Sequence, residues 1–309
     1  MSRLNWKGIK QVFKDSFTGF SEHKITKLSG SLAYSTVFSM APLLIVIISL
    51  CSIFLGREAV EGRIYEQLDG FVGTDAAAQL QQIIKNATIN GKSGIAVALG
   101  VITLLIGATA VFSEIQDSIN IIWGVKPKPK KGWLNLLKSR FLSFSIIVAL
   151  GFLLLVSLAV SSLIEGFSNH LQSRFPTLTV VSLYIINYIL TLLITSLIFA
   201  VIFKVLPDAT IKWKDIFIGA VCTAILFMIG KLLISLYISQ KNIGTTYGAA
   251  GSLVILLIWI YYSSLILFIG AEITKAYAII FGSRIYPKPY AVTTKTVELN
   301  TGKEPVAGK

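Results

Sequence analysis

The sequence predicts an all-α integral membrane protein with six transmembrane helices. Its 309 residues are 54% hydrophobic and only 14% charged, with a mean hydropathy of +0.74, whereas soluble domains carry about 25% charged residues. Six long segments are apolar, and a helix needs roughly 20 such residues to cross a hydrocarbon core. Basic residues concentrate in alternate connections between these segments, as expected for a polytopic membrane protein.

The six predicted spans divide the chain into a short N-terminal segment, a membrane domain over residues 29–281 and a polar tail. The spans cover about 32–55, 94–112, 141–164, 179–203, 216–238 and 251–273. Residues 1–28 are predicted to form an amphipathic helix. Residues 57–92 are predicted to form a small helical cap on the outer face. Residues 282–309 are predicted to form a polar cytoplasmic tail that is disordered beyond about Tyr290.

The distribution of lysine and arginine predicts that both termini lie in the cytoplasm. The N-terminal region, the second and fourth connections and the tail are basic and poor in acids. The second connection is the clearest case, with Lys126, Lys128, Lys130, Lys131, Lys138 and Arg140 and no acid. Short basic loops stay on the cytoplasmic side. Much of the net charge of +13 is therefore positive-inside bias, and we expect no nucleic-acid partner.

The N-terminal segment has two chemically different sides. Ile9, Phe13, Phe17 and Phe20 fall on one side, and Lys7, Lys10 and Lys14 on another. This pattern suits a helix lying in the membrane interface with its lysines toward anionic headgroups. Membrane lipids, with anionic headgroups at the cytoplasmic face, are accordingly the expected partners. A helix packed beneath the bundle is the equally compatible alternative.

The first span combines a proline with a stripe of hydroxyl groups. Pro42 lies near its middle and predicts a kink, because proline removes a backbone donor. Ser31, Ser35 and Ser39 recur every fourth residue and share one face. We favour a helix-packing seam over the lining of a transport path. Ser35, Ser39 and Pro42 are the candidate path residues of this span.

The second span carries a stripe of small residues that ends in two acids. The stripe comprises Ala96, Gly100, Thr103, Gly107 and Ala110. Small residues let a neighbouring helix approach closely, and they would equally allow a homo-oligomer. Glu114 and Asp117 continue the same face. They either face the bundle or lie at the cytoplasmic interface, paired with lysines of the next loop.

Two further charged residues lie in the later spans. Lys231 is well inside the fifth span, where it either snorkels to the outer surface or points inward for function. Glu272 precedes Lys275 by three residues, which predicts a local ion pair. Alternatively Glu114, Asp117 and Glu272, all near cytoplasmic helix ends, converge into an acidic vestibule for a cation, a proton or an amine headgroup.

Glycines mark further places where function or close packing is predicted. Tyr247 and Gly248, with Gly251 at the mouth of the sixth span, would form a flexible outer gate. The alternative is an ordinary tight turn followed by close helix packing. Gly100 and Gly107 are candidates for close packing in the second span.

The sequence offers little to a metal or a cofactor. His23 and His170 lie far apart, and Cys51 and Cys222 fall inside apolar segments. Metal sites need clustered ligands, so we expect no metal, no cofactor and no disulfide. No GxxxxGK[ST] phosphate loop is present, which argues against ATP-driven transport by this chain.

A ribonuclease activity finds only weak support in the residues. Without a metal, it would need an acid–base pair facing the cytoplasm. Only Asp117 or Asp208, near lysines, would qualify. We therefore expect no enzymatic activity, and no catalytic residue is assigned.

Four stretches together resemble the YihY/BrkB family of bacterial inner-membrane proteins. They are LAYSTVFSMAPLLIVI (Leu32–Ile47), FSEIQDSINIIWGV (Phe112–Val125), FKVLPDATIKWKDIFIGA (Phe203–Ala220) and YGAAGSLVILLIWIYYSSLILFIGAEITKA (Tyr247–Ala276). The resemblance covers nearly everything from Gly30 to Phe281. It implies six spanning helices in a bacterial cytoplasmic membrane. Members have been labelled ribonuclease BN or virulence factors, some are discussed as lipid transporters, and the family has no agreed catalytic residues.

The function that we expect is the movement of a lipid or small amphipathic molecule across the membrane, as a transporter or flippase that does not use ATP. A non-transporting scaffold for envelope maintenance is the main alternative, since the basic loop and the outer cap would offer docking surfaces. A membrane-associated ribonuclease is the remaining alternative.

Overall fold

The computed structural model describes residues 5–39, 110–128, 176–240 and 251–294, and these ranges are mostly helical. The helices are α1 (Trp6–Glu22), α2 (25–39), α3 (110–123), α4 (Pro176–Val205), α5 (Trp213–Gln240) and α6 (Gly251–Ile280). Four short strands accompany them: β1 (Val125–Pro127), β2 (Ala209–Thr210), β3 (Tyr286–Pro287) and β4 (Ala291–Thr293).

Within the described ranges, three helical segments are long and apolar enough to cross a membrane. They are Tyr188–Val205, Trp213–Ile234 and Leu253–Ile280, with mean hydropathies of 2.3, 2.3 and 2.4. They fall in the predicted fourth, fifth and sixth spans. Helix α4 ends at Val205, just before Pro207, because proline cannot continue a helix.

The remaining predicted spans are covered only in part. Helix α2 begins at residue 25, ahead of the predicted start of the first span at Leu32. Helix α3 continues the predicted second span through its two acids. The third span at 141–164 and the cap at 57–92 lie outside the described residues. The count of six spans and the cytoplasmic position of both termini therefore stay predictions.

The N-terminal segment differs from the single helix predicted over residues 1–28. The Asn5 side chain caps α1 by accepting a hydrogen bond from the Gly8 N–H at 2.7 Å. The helix ends at Glu22, and Lys24 has a φ of 51°. This left-handed conformation cannot continue a right-handed helix. The chain therefore turns at residues 23–24, and α2 starts in a new direction.

Helix α5 packs against both α4 and α6. The core between them contains Phe203 of α4, Ile216 and Ala220 of α5, and Phe268 and Ala271 of α6, all fully or almost fully buried. Because these residues are apolar, lipid would solvate them equally well. Their contact must therefore depend on close packing rather than on exclusion of water.

Glycine–threonine pairs allow α5 and α6 to approach closely. Gly219 of α5 lies against Thr274 of α6, and Gly270 of α6 lies against Thr223 of α5. A side chain at either glycine would collide with the facing threonine. Each threonine hydroxyl donates a hydrogen bond to a carbonyl of its own helix. Thr223 donates to the Gly219 carbonyl at 2.6 Å, and Thr274 donates to the Gly270 carbonyl at 2.7 Å. Their polar groups are therefore satisfied within this apolar seam.

Residues 282–294 fold back onto the connections that follow α3 and α4. Strand β4 pairs antiparallel with β1, and β3 pairs antiparallel with β2. The Lys128 N–H donates to the Tyr290 carbonyl at 2.8 Å, and the Lys288 N–H to the Asp208 carbonyl at 2.9 Å. We call this end of α3–α6, where β1–β4 lie, the strand end of the bundle.

The structure describes the tail as far as residue 294, a few residues beyond Tyr290, where the disorder is predicted to begin. Residues 286–287 and 291–293 form strands because two separate connections offer their backbone groups as partners. The rest of the predicted tail, residues 295–309, lies outside the described residues.

Candidate functional site

Glu272 is a buried acid in the apolar helix α6. Only 3% of its side chain is exposed, and its carboxylate contacts Nδ1 of His23 at the end of α1. The same Nδ1 lies 3.1 Å from the Gly19 carbonyl oxygen. An ionised Glu272 and this carbonyl are both acceptors, so Nδ1 carries the proton. The pair therefore ties α1 to α6 at the strand end.

Gly19 makes this contact possible. A Cβ atom at Gly19 would lie 2.5 Å from Glu272 Oε2 and 2.7 Å from its Cδ. Such distances are far below van der Waals contact, so only glycine fits here without a shift of the carboxylate. Val12 and Ser16 precede Gly19 on the buried face of α1. Their small size brings the helix close to α6 along its length.

A cavity of about 200 Å³ opens between α1 and α6 beside this ion pair. It has room for several water molecules. Its lining includes Asp15 and Glu22 of α1, and Glu272, Lys275 and Ile279 of α6. Three carboxylates face one lysine and His23, so the cavity favours a cationic guest.

The local ion pair predicted between Glu272 and Lys275 does not form. In the part of the chain that the structure describes, Glu272 pairs with His23 and not with Lys275. Spacing of three residues brings two side chains within reach of one another. Here Glu272 turns toward α1, where a buried partner satisfies its charge.

Asp208 is the centre of a second polar cluster, between α4 and β2. Its side chain is 4% exposed. Its carboxylate accepts hydrogen bonds from Gln116 Nε2 at 3.0 Å and from Asn120 Nδ2 at 2.9 Å. Its backbone N–H donates to Asn120 Oδ1 at 2.8 Å. Because the Tyr290 hydroxyl also donates to the carboxylate, the cluster joins α3, the α4–β2 connection and the tail.

The charge of Asp208 perturbs the groups around it. Burial raises the pKa of Tyr290 to about 12, and the Asp208 carboxylate contributes by its charge and its hydrogen bond. Burial lowers the pKa of Lys288, while Asp208 opposes this shift and Lys204 adds to it. Lys204 donates to the Ile211 carbonyl at 2.6 Å and lies 5.4 Å from the Trp213 ring centre.

Asp117 lies close enough to both Glu114 and Asp208 to be affected by their charges. Burial raises the pKa of Asp117, and the charges of Glu114 and then Asp208 raise it further. Among the described residues, no hydrogen bond or ion pair links Glu272 with Glu114 or Asp117. The meeting of these three acids in one vestibule stays a prediction.

Asp215, the third buried acid of the strand end, holds the start of the tail. Its Oδ2 accepts hydrogen bonds from the Ser283 N–H at 3.0 Å and the Ser283 hydroxyl at 2.8 Å. It lies in the first turn of α5, where the helix dipole stabilises a negative charge. The hydrogen bonds from Ser283 and the helix dipole therefore explain why an acid is buried at this position.

The other predicted site residues are spread over the structure. Ser35 and Ser39 are half-buried on α2, and the Ser39 hydroxyl donates to the Ser35 carbonyl at 2.8 Å. Lys231 is exposed on α5. Gly251 is the first residue of α6. The remaining candidates, Pro42, Gly100, Gly107, Tyr247 and Gly248, lie outside the described residues.

Sequence reasoning missed His23, and considered Asp208 only for a nuclease. A signal for the Asp208 cluster was present, because Gln116 and Asn120 are amide side chains four residues apart and therefore lie on one face of α3. His23 and Tyr290 gave no such signal, since their partners lie far away in the chain. Among the described residues, no three His, Cys, Asp or Glu side chains are grouped to hold a metal ion.

Similarity to known proteins agrees with the apolar helices of the structure. The family described as "Virulence factor BrkB" matches residues 16–289. A UPF0761 membrane protein of Haemophilus influenzae is 29% identical over 83% of this chain and 91% of its own length. UPF0761 membrane proteins of Vibrio vulnificus and Aeromonas salmonicida are 29% and 30% identical over 82% of this chain, and over 78% and 84% of their own lengths.

No solved structure matches the chain. The family match includes the part of α1 that holds Ser16 and Gly19, as well as α2–α6 and the tail strand β3. The matched region thus contains the Glu272–His23 pair, and Gln116, Asn120 and Asp208 of the second cluster, but it ends one residue before Tyr290. The relatives are named membrane proteins. The protein is an integral membrane protein and belongs to the BrkB family, together with the UPF0761 membrane proteins.

Proposed function

We propose that this protein moves a lipid or small amphipathic molecule with a cationic headgroup between the leaflets, without ATP. The observation that carries the proposal is Glu272, buried in an apolar helix, paired with His23, and in the wall of the cavity between α1 and α6. Ionisable side chains inside a membrane domain are costly and mark substrate or ion pathways.

The cavity combines features that an amphipathic substrate requires. Asp15, Glu22 and Glu272 attract a positive charge, and an ammonium group that displaces His23 would leave the buried carboxylate paired. Ile279 borders the cavity and is exposed. An acyl chain could therefore remain in contact with an apolar surface while its headgroup enters the cavity.

We also propose six spans in the bacterial cytoplasmic membrane, with both termini and the strand end in the cytoplasm. The support is the charge of the strand end, where Lys126, Lys128, Lys204, Lys212 and Lys288 cluster. Short connections rich in lysine stay in the cytoplasm. A cysteine introduced at Lys212 should be blocked in intact cells only by a membrane-permeant thiol reagent. Blocking by an impermeant reagent would reverse the orientation.

Leaflet exchange in proteoliposomes tests the transport proposal. Labelled phospholipids with ethanolamine, choline and glycerol headgroups would be compared for wild type, Glu272→Gln and the control Lys231→Met, which changes an exposed residue of α5. We expect exchange above that of empty liposomes, fastest with the ethanolamine headgroup. Glu272→Gln should lose most of it, and Lys231→Met should retain it.

Two results would contradict the proposal. Wild-type protein that exchanges no headgroup faster than empty liposomes would remove the transport function. Undiminished exchange by Glu272→Gln would exclude the cavity as its path. Size-exclusion chromatography and melting temperatures of each variant would ensure that a loss of exchange is not a loss of folding.

A further inference from the structure

Helix α1 has one buried face, directed at the end of α6. Val12, Ser16 and Gly19 are buried on it. Val12 packs in one cluster with Ile273, Ala276 and Phe281. The apolar segment of α6 has 28 residues and ends at Ile280, a length of about 42 Å, close to the full thickness of a bilayer with its headgroups. Helix α1 therefore lies at the level where the membrane ends.

A second face of α1 consists of exposed aromatic side chains. Trp6, Phe13 and Phe17 are 77%, 66% and 80% exposed. At about 100° per residue, their directions from the helix axis agree within about 40°. Three large aromatic rings in one stripe are unfavourable in water and typical of a surface with an apolar partner.

Lysines follow the aromatic stripe on its far side from α6. Lys7, Lys10 and Lys14 are all exposed, at about 40–100° around the helix from the direction of Trp6. Three faces therefore follow one another around α1: the face packed on α6, the aromatic stripe and the row of lysines. Aromatic rings and lysines are the side chains that favour the boundary between headgroups and acyl chains.

We propose that α1 is a binding surface for anionic lipid. Trp6, Phe13 and Phe17 insert into the membrane interface beside the end of α6, and Lys7, Lys10 and Lys14 bind phosphate-bearing headgroups. Two observations favour a lipid surface over a second copy of the chain or another protein as the partner. They are the positive charge of the lysine row and the position of α1 at the end of the apolar segment of α6. This role is independent of leaflet exchange and holds whether or not the protein transports.

Spin labels on two faces of α1 test the membrane contact. In a background with Cys51→Ala and Cys222→Ala, labels would be attached at Phe13→Cys and Phe17→Cys. Gln11→Cys, exposed on the polar face, is the matched control. In vesicles with phosphatidylglycerol, oxygen should relax the labels at 13 and 17, and a water-soluble nickel chelate should relax the label at 11.

The outcome at residues 13 and 17 decides the proposal. If the nickel chelate reaches them as readily as residue 11, α1 lies in water and the proposal is wrong. If both reagents are excluded, a protein covers this face, which is equally contradictory. Size-exclusion profiles of the labelled variants would show that the fold is retained.

The lysine row is tested with the label at residue 17. Replacing Lys7, Lys10 and Lys14 with Gln, or replacing phosphatidylglycerol with phosphatidylcholine, should increase relaxation by the nickel chelate several-fold. Unchanged shielding in both cases would contradict the preference for anionic lipid. The preference would also be contradicted if the Gln substitutions increased relaxation by the nickel chelate in phosphatidylcholine vesicles but not in vesicles with phosphatidylglycerol. The lysines would then act without anionic headgroups.

Discussion

At the scale of single residues, the two buried acids Asp208 and Glu272 differ in how fully they are satisfied. Asp208 receives side-chain hydrogen bonds from Gln116, Asn120 and Tyr290, which hold it in place at the junction of three segments. Among the described residues, Glu272 has one ionisable partner, His23, and lies beside a cavity. A carboxylate with one exchangeable partner can release it to a ligand, whereas one held by several donors acts as a structural clamp.

The close approach of Gly19 to Glu272 gives a prediction for stability. Gly19→Ala would place a Cβ atom 2.5 Å from Glu272 Oε2, so either the carboxylate or α1 must move. Overpacking of this kind costs about 1–3 kcal/mol of unfolding free energy. The variant should melt at a lower temperature in detergent, and α1 should become more sensitive to protease.

Gly30→Ala is the matched control, because an added Cβ at Gly30 would meet no atom within 4 Å. In the helix α2 this change should be neutral or stabilise by up to about 1 kcal/mol. Equal melting temperatures of the two variants would mean that α1 does not depend on its contact with Glu272.

At the scale of elements, the boundary between α1 and α2 depends on one backbone conformation. Lys24 has a φ of 51°, its N–H donates to the Ser21 carbonyl at 3.1 Å, and His23 beside it pairs with Glu272. The turn thus fixes the direction in which the imidazole leaves α1. A side chain with a Cβ makes this left-handed conformation unfavourable.

Lys24→Gly should therefore stabilise the protein. Glycine adopts a positive φ without steric cost, so we expect an increase of about 1 kcal/mol in the free energy of unfolding. Lys27→Gly, at an exposed position inside α2, should instead destabilise by about 1 kcal/mol. Chemical unfolding in mixed micelles would measure both. A decrease with Lys24→Gly would show that the turn is not strained.

At the scale of the whole molecule, composition predicts the apolar helices but not the contacts that join them. The spans predicted at 179–203, 216–238 and 251–273 correspond to α4, α5 and α6, since long apolar runs reflect a local requirement of the bilayer. The sequence predicted that Glu272 pairs with Lys275, the nearest basic residue in the chain. In the structure it pairs with His23, which is 249 positions away. Periodicity carries no information about such a partner.

The tail shows the same limit. Its polar composition and prolines predicted a tail that is disordered beyond about Tyr290 and gave no sign of strands, yet β3 and β4 pair with β2 and β1. A strand of two or three residues has almost no pattern of its own, and its stability comes from groups that α3 and α4 bring to the strand end. The Asp208 cluster likewise forms only when α3, the connection between α4 and β2, and the tail meet.

Tyr290 makes the attachment of the tail dependent on pH. Its pKa is raised from the usual 10.0 to about 12, so folding favours the protonated hydroxyl. Its contribution to stability is therefore complete below about pH 10 and is lost as the pH rises toward about 12. Lys288 has the opposite effect on the pH dependence of stability. Its pKa is lowered, so folding favours the neutral amine, and its contribution to stability increases as the pH rises.

Comparison of wild type with Tyr290→Phe isolates the tyrosine, since Lys288 is present in both. Between pH 8 and about 10 the variant should be less stable by about 1.5–3 kcal/mol, the value of a hydrogen bond to a charged group. The difference should shrink toward about pH 12, where ionised Tyr290 would repel Asp208. Melting temperatures in detergent would measure the stability, and hydrogen exchange of Val292 and Thr293 would report on β4. A difference that stays constant with pH would show that Tyr290 does not donate to Asp208.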